Sequence, residues 1–148
     1  MTKSEQCFGI IPLRLEADQL QVLLALHVKG EYWAFPKGHG EDSENGQVTA
    51  QRELFEETDL KVHSFINVDY PQEAYSFERD GQKIEKSITY YPACVDGDVV
   101  IKEPHEVKEA KWFSIEDALE KITFEGSKLL LKDLIQKNPN LGMKVREG

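Results

Sequence analysis

The segment Phe35–Leu60 constrains this chain more than any other, because a glycine-containing loop leads directly into a helical pattern rich in acids. Within that pattern Glu53, Glu56 and Glu57 are spaced i, i+3 and i+4, so a helix brings their carboxylates to one face. Clustered carboxylates repel one another unless water or a cation screens them. The segment therefore predicts either a solvated acidic face, partly offset by Arg52, or a site where a divalent cation meets phosphate groups.

The residues before the helix favour the second interpretation. From Gly38 to Leu60 the chain follows the spacing G-x5-E-x7-R-E-U-x-E-E-x-G-U, where U is aliphatic. This spacing resembles the Nudix box. One position departs, since Asp59 stands where the family has a glycine that ends the helix in a left-handed conformation. Aspartate tolerates that conformation at a modest cost. We therefore expect a small loss of stability and no effect on the metal-binding carboxylates.

The resemblance implies the Nudix fold, of class α/β (α+β), in which a mixed sheet forms the middle layer of an α/β/α sandwich. Residues 1–148 are expected to form it as a single domain. Local patterns predict a helix at Gln47–Thr58, with Val48, Ala50 and Leu54 packed inward and the glutamates facing away from the core. Pro12 interrupts an apolar run and predicts an edge or bulged strand. The other predicted strands are Leu20–His27, Tyr32–Phe35, Val62–Asp69, Tyr75–Arg79, Ile84–Val95, Val99–Ile101 and Ala110–Phe113, and the later helices begin at Ser114 and Gly126.

Composition narrows the class of partner. The chain has 148 residues and a net charge of −9, which disfavours stable binding to nucleic acid or to an anionic membrane. No run is long and apolar enough to span a bilayer, and the first residues show no signal-peptide cleavage site. Cys7 and Cys94 lie in apolar runs and are expected to be buried thiols. We expect a cytoplasmic monomer that acts on a small nucleotide.

The resemblance also implies the chemistry, which is attack of water on a phosphorus, assisted by Mg²⁺ or Mn²⁺. It assigns metal binding to Glu53, Glu56, Glu57 and the loop residue Gly38. The catalytic residues that it implies are Glu53, Arg52, Glu44 and Glu106, with Arg52 and Glu44 as an orienting ion pair.

The general base is not fixed by the resemblance. In this family it is a box glutamate or a carboxylate from a later loop. Glu106 is our candidate from outside the box, with a solvated loop acid as the alternative reading of that residue. Glu103 and Glu109 are weaker competitors.

The flanks of the box resemble one branch of the family. The sequence WAFPKGH, Trp33–His39, is similar to the W-x-x-P-K-G-H of asymmetric diadenosine tetraphosphate hydrolases, which release ATP and AMP. This resemblance implies phosphate contacts for Lys37 and His39. The alternatives are a solvated lysine and a histidine that stabilises the loop.

Downstream residues extend the same resemblance. It implies that Tyr75 and Tyr90 stack an adenine while Lys86 meets the phosphate chain, since stacking contributes about 1–3 kcal/mol per base. Alternate residues of a strand face opposite sides, so one of Tyr90 and Tyr91 is expected only to pack. Phe124 matches a further position of this branch, and we expect it to pack in the core.

Three other functions stay open. The first is removal of pyrophosphate from RNA 5′ ends, which the negative charge disfavours because RNA binders usually carry a basic patch. The second is hydrolysis of oxidised nucleoside triphosphates, which the WAFPKGH flank disfavours. The third is a non-catalytic nucleotide sensor, which the intact set of box glutamates disfavours.

Overall fold

A computed structural model describes residues 2–148 as eight strands and four helices. The strands are β1 (Thr2–Glu16), β2 (Gln19–His27), β3 (Tyr32–Ala34), β4 (Lys37–His39), β5 (Lys61–Phe65), β6 (Gln72–Arg79), β7 (Gln82–Asp96) and β8 (Val107–Ser114). The helices are α1 (Gly46–Thr58), α2 (Ile115–Lys121), α3 (Glu125–Lys137) and α4 (Leu141–Glu147). None of these helices has the length and apolar character needed to cross a membrane.

The strands form one mixed sheet whose main path runs β3-β2-β1-β7-β5. Strands β1 and β7 are parallel over a long register that joins Thr2 with Lys83 and Leu13 with Cys94. The remaining pairs are antiparallel, with β4 on β1, β6 on β7 and β8 on β2. The predicted mixed sheet is therefore confirmed.

The expectation that Pro12 marks an edge or bulged strand was wrong, because β1 lies in the middle of the sheet. Along one side of β1, pairing with β4 ends at Gly9 and pairing with β2 begins at Leu13. Ile10 donates to the Pro36 carbonyl on that side, and alternation directs the Pro12 nitrogen the same way. Proline is tolerated there because the gap between β4 and β2 requires no donor.

The two faces of the sheet carry different helices. Helix α1 buries Ala50 and Leu54 against Ile10, Leu23 and Ala93 on one face. Helices α2, α3 and α4 cover the other face, where the cluster includes Leu24, Ile88, Ala118, Leu131 and Val145. This arrangement is the expected α/β/α sandwich.

Helix α1 begins one residue earlier than predicted and ends where predicted. The side chain of Asn45 accepts from the backbone N–H of Val48 at 2.9 Å and caps the first turn. Asp59 follows the last turn with φ 67° and ψ 7°, the left-handed conformation expected at that position. The inward packing expected of Val48 was wrong, since 44% of it is exposed.

The Asp59→Gly substitution is expected to stabilise the protein by up to about 1 kcal/mol, because glycine adopts φ 67° without a Cβ penalty. The gain is reduced by loss of the ion pair in which Lys102 Nζ lies 3.2 Å from Asp59 Oδ1. Urea denaturation measures the change, and Lys102→Ala removes the ion pair together with the contact of Lys102 Nζ over the Phe55 ring, 3.4 Å from its centroid. A lower free energy of unfolding for Asp59→Gly than for Lys102→Ala would contradict this account.

Other local expectations had mixed outcomes. The β6–β7 hairpin turns at Asp80 and Gly81, both with positive φ, as the dipeptide predicted. Cys7 and Cys94 are buried free thiols, as expected. The strand expected at Val99–Ile101 was wrong, because that segment is irregular. Helix α4 and strand β4 were not predicted.

Candidate active site

A bidentate ion pair fixes the loop before α1. Arg52 Nε lies 2.8 Å from Glu44 Oε2, and Arg52 Nη2 lies 3.1 Å from Glu44 Oε1. Glu44 also accepts from the Thr49 hydroxyl and from the backbone N–H of Glu41, each at 2.9 Å. The Arg52 guanidinium, helped by these donors, lowers the pKa of Glu44 from 4.5 to about 2. The structure therefore brings Arg52 and Glu44 together, with both carboxylate oxygens of Glu44 hydrogen-bonded.

The same guanidinium also contacts the helix acids and the edge of the sheet. Arg52 Nη1 lies 3.1 Å from Glu53 Oε1 and 3.3 Å from Glu56 Oε1. Its Nη2 donates to the backbone carbonyl of His39 at 3.0 Å. One side chain thus aligns the loop, α1 and β4, which only a planar, multiply donating cation can do.

Glu57 is the least expected member of the acidic face. Its residue surface is 5% exposed, although the glutamates were expected to face away from the core. Burial, followed by the charge of Glu53, raises the pKa of Glu57 well above its usual range. Burial likewise raises the pKa of Glu53. Two carboxylates share a poorly solvated position, which is costly when both are ionised.

Gly38 makes room for this pair. A Cβ built on Gly38 would overlap the Glu53 carboxyl group, so only glycine allows Glu53 to lie against β4. Gly38 and Glu53 are therefore direct neighbours.

The carboxylates of this face are of the chemical type that a hard divalent cation binds, although the three glutamates do not bring one oxygen each within 4.8 Å of one another in this structure. Glu57 Oε1 is buried and has no hydrogen-bond partner within residues 2–148, so an acceptor oxygen is left for another ligand. Glu53, Glu56 and Glu57 offer carboxylate oxygens, which Mg²⁺ and Mn²⁺ prefer. A cation bound there would compensate the charge that burial and mutual repulsion now disfavour.

His27 belongs to the site and was missed by sequence reasoning. Its Nδ1 lies 3.9 Å from Glu57 Oε1, and its ring stacks on Tyr32 with centroids 4.8 Å apart. Burial, followed by the charge of Lys37, lowers the pKa of His27 to about 4, so the ring is neutral at pH 7. The only signal in the sequence was a polar residue at the end of an apolar strand.

The loop before β8 approaches the acids from the other side. The backbone N–H of Val28 donates to the Glu106 carbonyl at 2.9 Å, which fixes this loop beside the end of β2. A side-chain hydrogen bond with Glu103 raises the pKa of Glu106, and the charge of Glu56 adds to that increase. Glu109 is tied to Lys111 at 2.7 Å. Glu106 is thus exposed, and its pKa is raised in part by the charge of Glu56.

A pocket of about 390 Å³ lies on the opposite face of the sheet, between the strands and the start of α3. Tyr32 and Phe124 contact each other there, with ring centroids 5.2 Å apart. Core packing was the wrong expectation for Phe124, since 54% of it is exposed. The lining residues are Tyr32, Ala34, Lys37, Glu73, Ala74, Tyr75, Ile88, Tyr90, Phe124, Gly126 and Ser127.

The expected substrate residues are divided between this pocket and its rim. Tyr75 is half-exposed and lines the pocket, whereas Tyr90 is buried at its base and packs edge-on against Phe35. Tyr91 faces the α1 side and packs against Tyr70. Lys86 pairs with Tyr75 in the register of β6 and β7.

Lys37 and His39 have different surroundings. Lys37 lines the pocket, and its charge also opposes the rise in the pKa of Glu57, so it lies within electrostatic range of the acids. The ring of His39 is exposed, with Nε2 3.6 Å from Glu5 Oε1, and only its carbonyl joins the Arg52 network. Of the two residues expected to contact phosphate, Lys37 has the more central position.

The chain is similar in sequence to known proteins. Residues 4–134 match the NUDIX domain. The asymmetrical bis(5′-nucleosyl)-tetraphosphatase of Rattus norvegicus is 31% identical over 107 residues, which cover 69% of this chain and 69% of that protein. The enzyme of the same name from Caenorhabditis elegans is 27% identical over 112 residues, 75% of this chain and 80% of that protein.

Solved structures share the fold. The crystal structure of a binary complex of the C. elegans Ap4A hydrolase has a TM-score of 0.71 and 21% sequence identity. The match covers 92% of this chain and 98% of that chain. The same arrangement of strands and helices is thus found in a structure whose sequence has diverged widely.

Proposed function

The chain belongs to the NUDIX hydrolase family, and from that premise we propose that it hydrolyses dinucleoside polyphosphates, cleaving diadenosine tetraphosphate to ATP and AMP. The observation that carries the proposal is the position of Lys37, which lines an aromatic pocket while its charge acts on the buried Glu57. The Lys37 ammonium group is thereby adjacent to a pocket for a flat base and within electrostatic range of the carboxylates. The names of the rat and nematode relatives support the same substrate class.

Glu53, Glu56 and Glu57 are the residues that would hold Mg²⁺ or Mn²⁺, with Gly38 beside them. A divalent cation bound there would offset phosphate charge and lower the pKa of an attacking water. Arg52 orients Glu53 and Glu56 through direct contacts. Because Glu57 is held in a poorly solvated position near a neutral His27, its free oxygen is available to a ligand.

The chemical step needs an acceptor for the proton of the attacking water. The water oxygen forms a bond to phosphorus, a bridging P–O bond breaks, and the released nucleotide leaves with that oxygen. Glu106 or a box glutamate accepts the proton. Glu106 is favoured by its exposed carboxyl group and by the raised pKa that Glu103 causes. Lys37 provides a positive charge for the phosphate chain.

Product analysis on a substrate panel tests the proposal. The purified protein is incubated with diadenosine tetraphosphate, oxidised dGTP, ADP-ribose or triphosphorylated RNA in the presence of Mg²⁺ or Mn²⁺, with EDTA as the control. Conversion of the dinucleotide to equal amounts of ATP and AMP is the expected result. Formation of two ADP would overturn asymmetric cleavage.

Other outcomes identify the competing functions. Turnover of RNA alone indicates an RNA 5′-pyrophosphohydrolase, and turnover of oxidised dGTP alone indicates a nucleoside triphosphate pyrophosphohydrolase. Binding of nucleotides without turnover of any substrate indicates a sensor. Each of these results would replace the proposed function.

A further inference from the structure

Glu73 brings a carboxylate into a pocket whose walls are otherwise apolar or aromatic apart from Lys37 and Ser127. It lies on β6 opposite Ile88, and the buried hydroxyl of Ser127 donates to its Oε1 at 2.8 Å. No basic side chain pairs with Glu73 in the part of the chain that the structure describes. The carboxylate is therefore positioned by a neutral donor and is not part of an ion pair within residues 2–148.

The start of α3 supports that charge. Oε2 of Glu73 lies over Gly126 in the first turn, where an added Cβ would come to 3.6 Å from it. Phe124 caps this helix without a side-chain hydrogen bond, so the first N–H groups of a 13-residue helix lack a side-chain acceptor. A helix N-terminus favours a nearby anion, and an ionised carboxylate only accepts hydrogen bonds.

The aromatic walls do not distinguish one purine from another. Tyr75 and Phe124 are exposed enough to stack on a base, and stacking tolerates any base because each has a π-face. Selection then depends on the polar group that meets the edge of the base. Among the lining residues within 2–148, Glu73 is the one acid.

We infer that Glu73 makes this pocket selective for guanine over adenine, so that diadenosine tetraphosphate is a substrate but a dinucleotide carrying guanine binds more tightly. The inference rests on that part of the proposed function which makes the pocket a base site. Guanine presents two adjacent donors, N1–H and the N2 amino group, which match the two oxygens of a carboxylate. Adenine presents one amino group next to the acceptor N1, which would face the second oxygen unfavourably. A bidentate contact to a base discriminates by about 1–3 kcal/mol, which corresponds to roughly 5- to 150-fold in affinity.

For the Glu73→Gln variant we predict a change in the preferred base. Its amide oxygen can accept from the adenine amino group while its NH₂ donates to adenine N1. The amide oxygen also retains an acceptor for Ser127, so the local packing is kept. We expect the preference to move from guanine toward adenine rather than simply to weaken.

Binding of GMP and AMP, measured by titration calorimetry in the absence of divalent cation, tests the inference. Glu78→Gln is the matched control, because Glu78 lies on the same strand, is exposed and does not line the pocket. The expected result is tighter binding of GMP by at least about 5-fold in the wild type and in Glu78→Gln. Glu73→Gln is expected to bind AMP as well as GMP or better. Equal affinities in the wild type, or tighter binding of AMP, would overturn the inference.

Two further measurements remove ambiguity. A carboxylate that binds the ribose hydroxyls would lower the affinity for dGMP relative to GMP and give no base preference, which also overturns the inference. The ratio of kcat/KM for diguanosine and diadenosine tetraphosphates tests it in catalysis. Rapid cleavage of both dinucleotides without preference would contradict guanine selection but leave the proposed function standing. Cleavage of neither dinucleotide would contradict the proposed function, and the titration with GMP and AMP would still decide the inference.

Discussion

The Glu57→Gln variant is expected to lose metal-dependent turnover by about 1,000-fold, yet to melt at a higher temperature than the wild type in EDTA. The loss follows because charge stabilisation by a bound cation contributes several kcal/mol to the transition state, and 1.36 kcal/mol corresponds to a factor of ten in rate. The gain in stability follows because Glu57 is 5% exposed and its ionised form is disfavoured by burial and by Glu53. A neutral amide of the same shape removes that penalty.

The destabilisation by the Glu57 charge depends on pH. The folded protein binds a proton at Glu57 more tightly than the unfolded chain does, since the pKa is raised above 4.5 in the fold. In the metal-free wild type, the free energy of unfolding therefore falls as the pH rises from 4.5 through the raised pKa. The advantage of Glu57→Gln in EDTA should grow over that range, as measured by thermal melts at a series of pH values.

Glu120→Gln is the control, because Glu120 is exposed and lies on α2, whereas the acidic face lies on α1. It should change neither turnover nor the pH dependence of melting. Near-wild-type turnover of Glu57→Gln would refute its assignment as a metal ligand. A lower melting temperature in EDTA at pH 7 would refute the account of a buried, disfavoured charge.

The Arg52→Lys variant is expected to lose about 10- to 100-fold in turnover, the range typical when the support of a metal ligand is removed. It should also lose about 2 kcal/mol of stability, because hydrogen bonds to charged groups contribute about 1.5–3 kcal/mol. Lysine keeps the charge, but one ammonium group cannot hold Glu44 bidentately while also contacting Glu53 and the His39 carbonyl. Steady-state kinetics and urea denaturation at pH 7 measure the two losses.

Acid titration of stability separates the Arg52–Glu44 pair from other effects. Arg52 lowers the pKa of Glu44 from 4.5 to about 2 in the folded protein. The stabilisation by this pair is therefore complete above about pH 4.5 and is lost as the pH falls toward 2. Arg52→Lys should show a shallower loss of stability across that interval.

Arg79→Lys is the matched control. Arg79 also pairs with a glutamate, with its Nη1 2.9 Å from Glu5 Oε2, but half of its side chain is exposed. Exposed pairs contribute about 0–1 kcal/mol, so this variant should keep its turnover and most of its stability. If Arg52→Lys and Arg79→Lys behaved alike in both measurements, the orienting role of Arg52 would be disproved.

Local features were predictable because their causes are local. The i, i+3, i+4 spacing of Glu53, Glu56 and Glu57 fixes their common face, and the family resemblance of the loop implied the pair of Arg52 with Glu44. The end of α1 at Thr58 and the turn at Asp80 follow from residues that tolerate positive φ. Helix and turn preferences act within a few residues, so one sequence was enough.

Burial was not predictable in the same way. Helical periodicity indicates which residues share a face but not how deep each one lies, so Glu57 was expected outside the core although it is buried. His27 joins it from β2, a segment 30 positions earlier in the sequence. The central position of β1 depends on a parallel register with β7, and strand alternation carries no information on the identity of the neighbouring strand.

The sequence by itself was enough to identify the family, because a fixed spacing along a helix and its preceding loop is specific to it. The family resemblance in turn implied the mixed α/β/α sandwich and the pairing of Arg52 with Glu44. The tertiary structure alone decided that Glu57 is buried beside His27 and that Phe124 lines a pocket rather than the core. It also brought Ser127, from the start of α3, to the carboxylate of Glu73 on β6. These pairings join segments far apart in the chain, and their geometry depends on how helices and sheet pack, which no local pattern specifies.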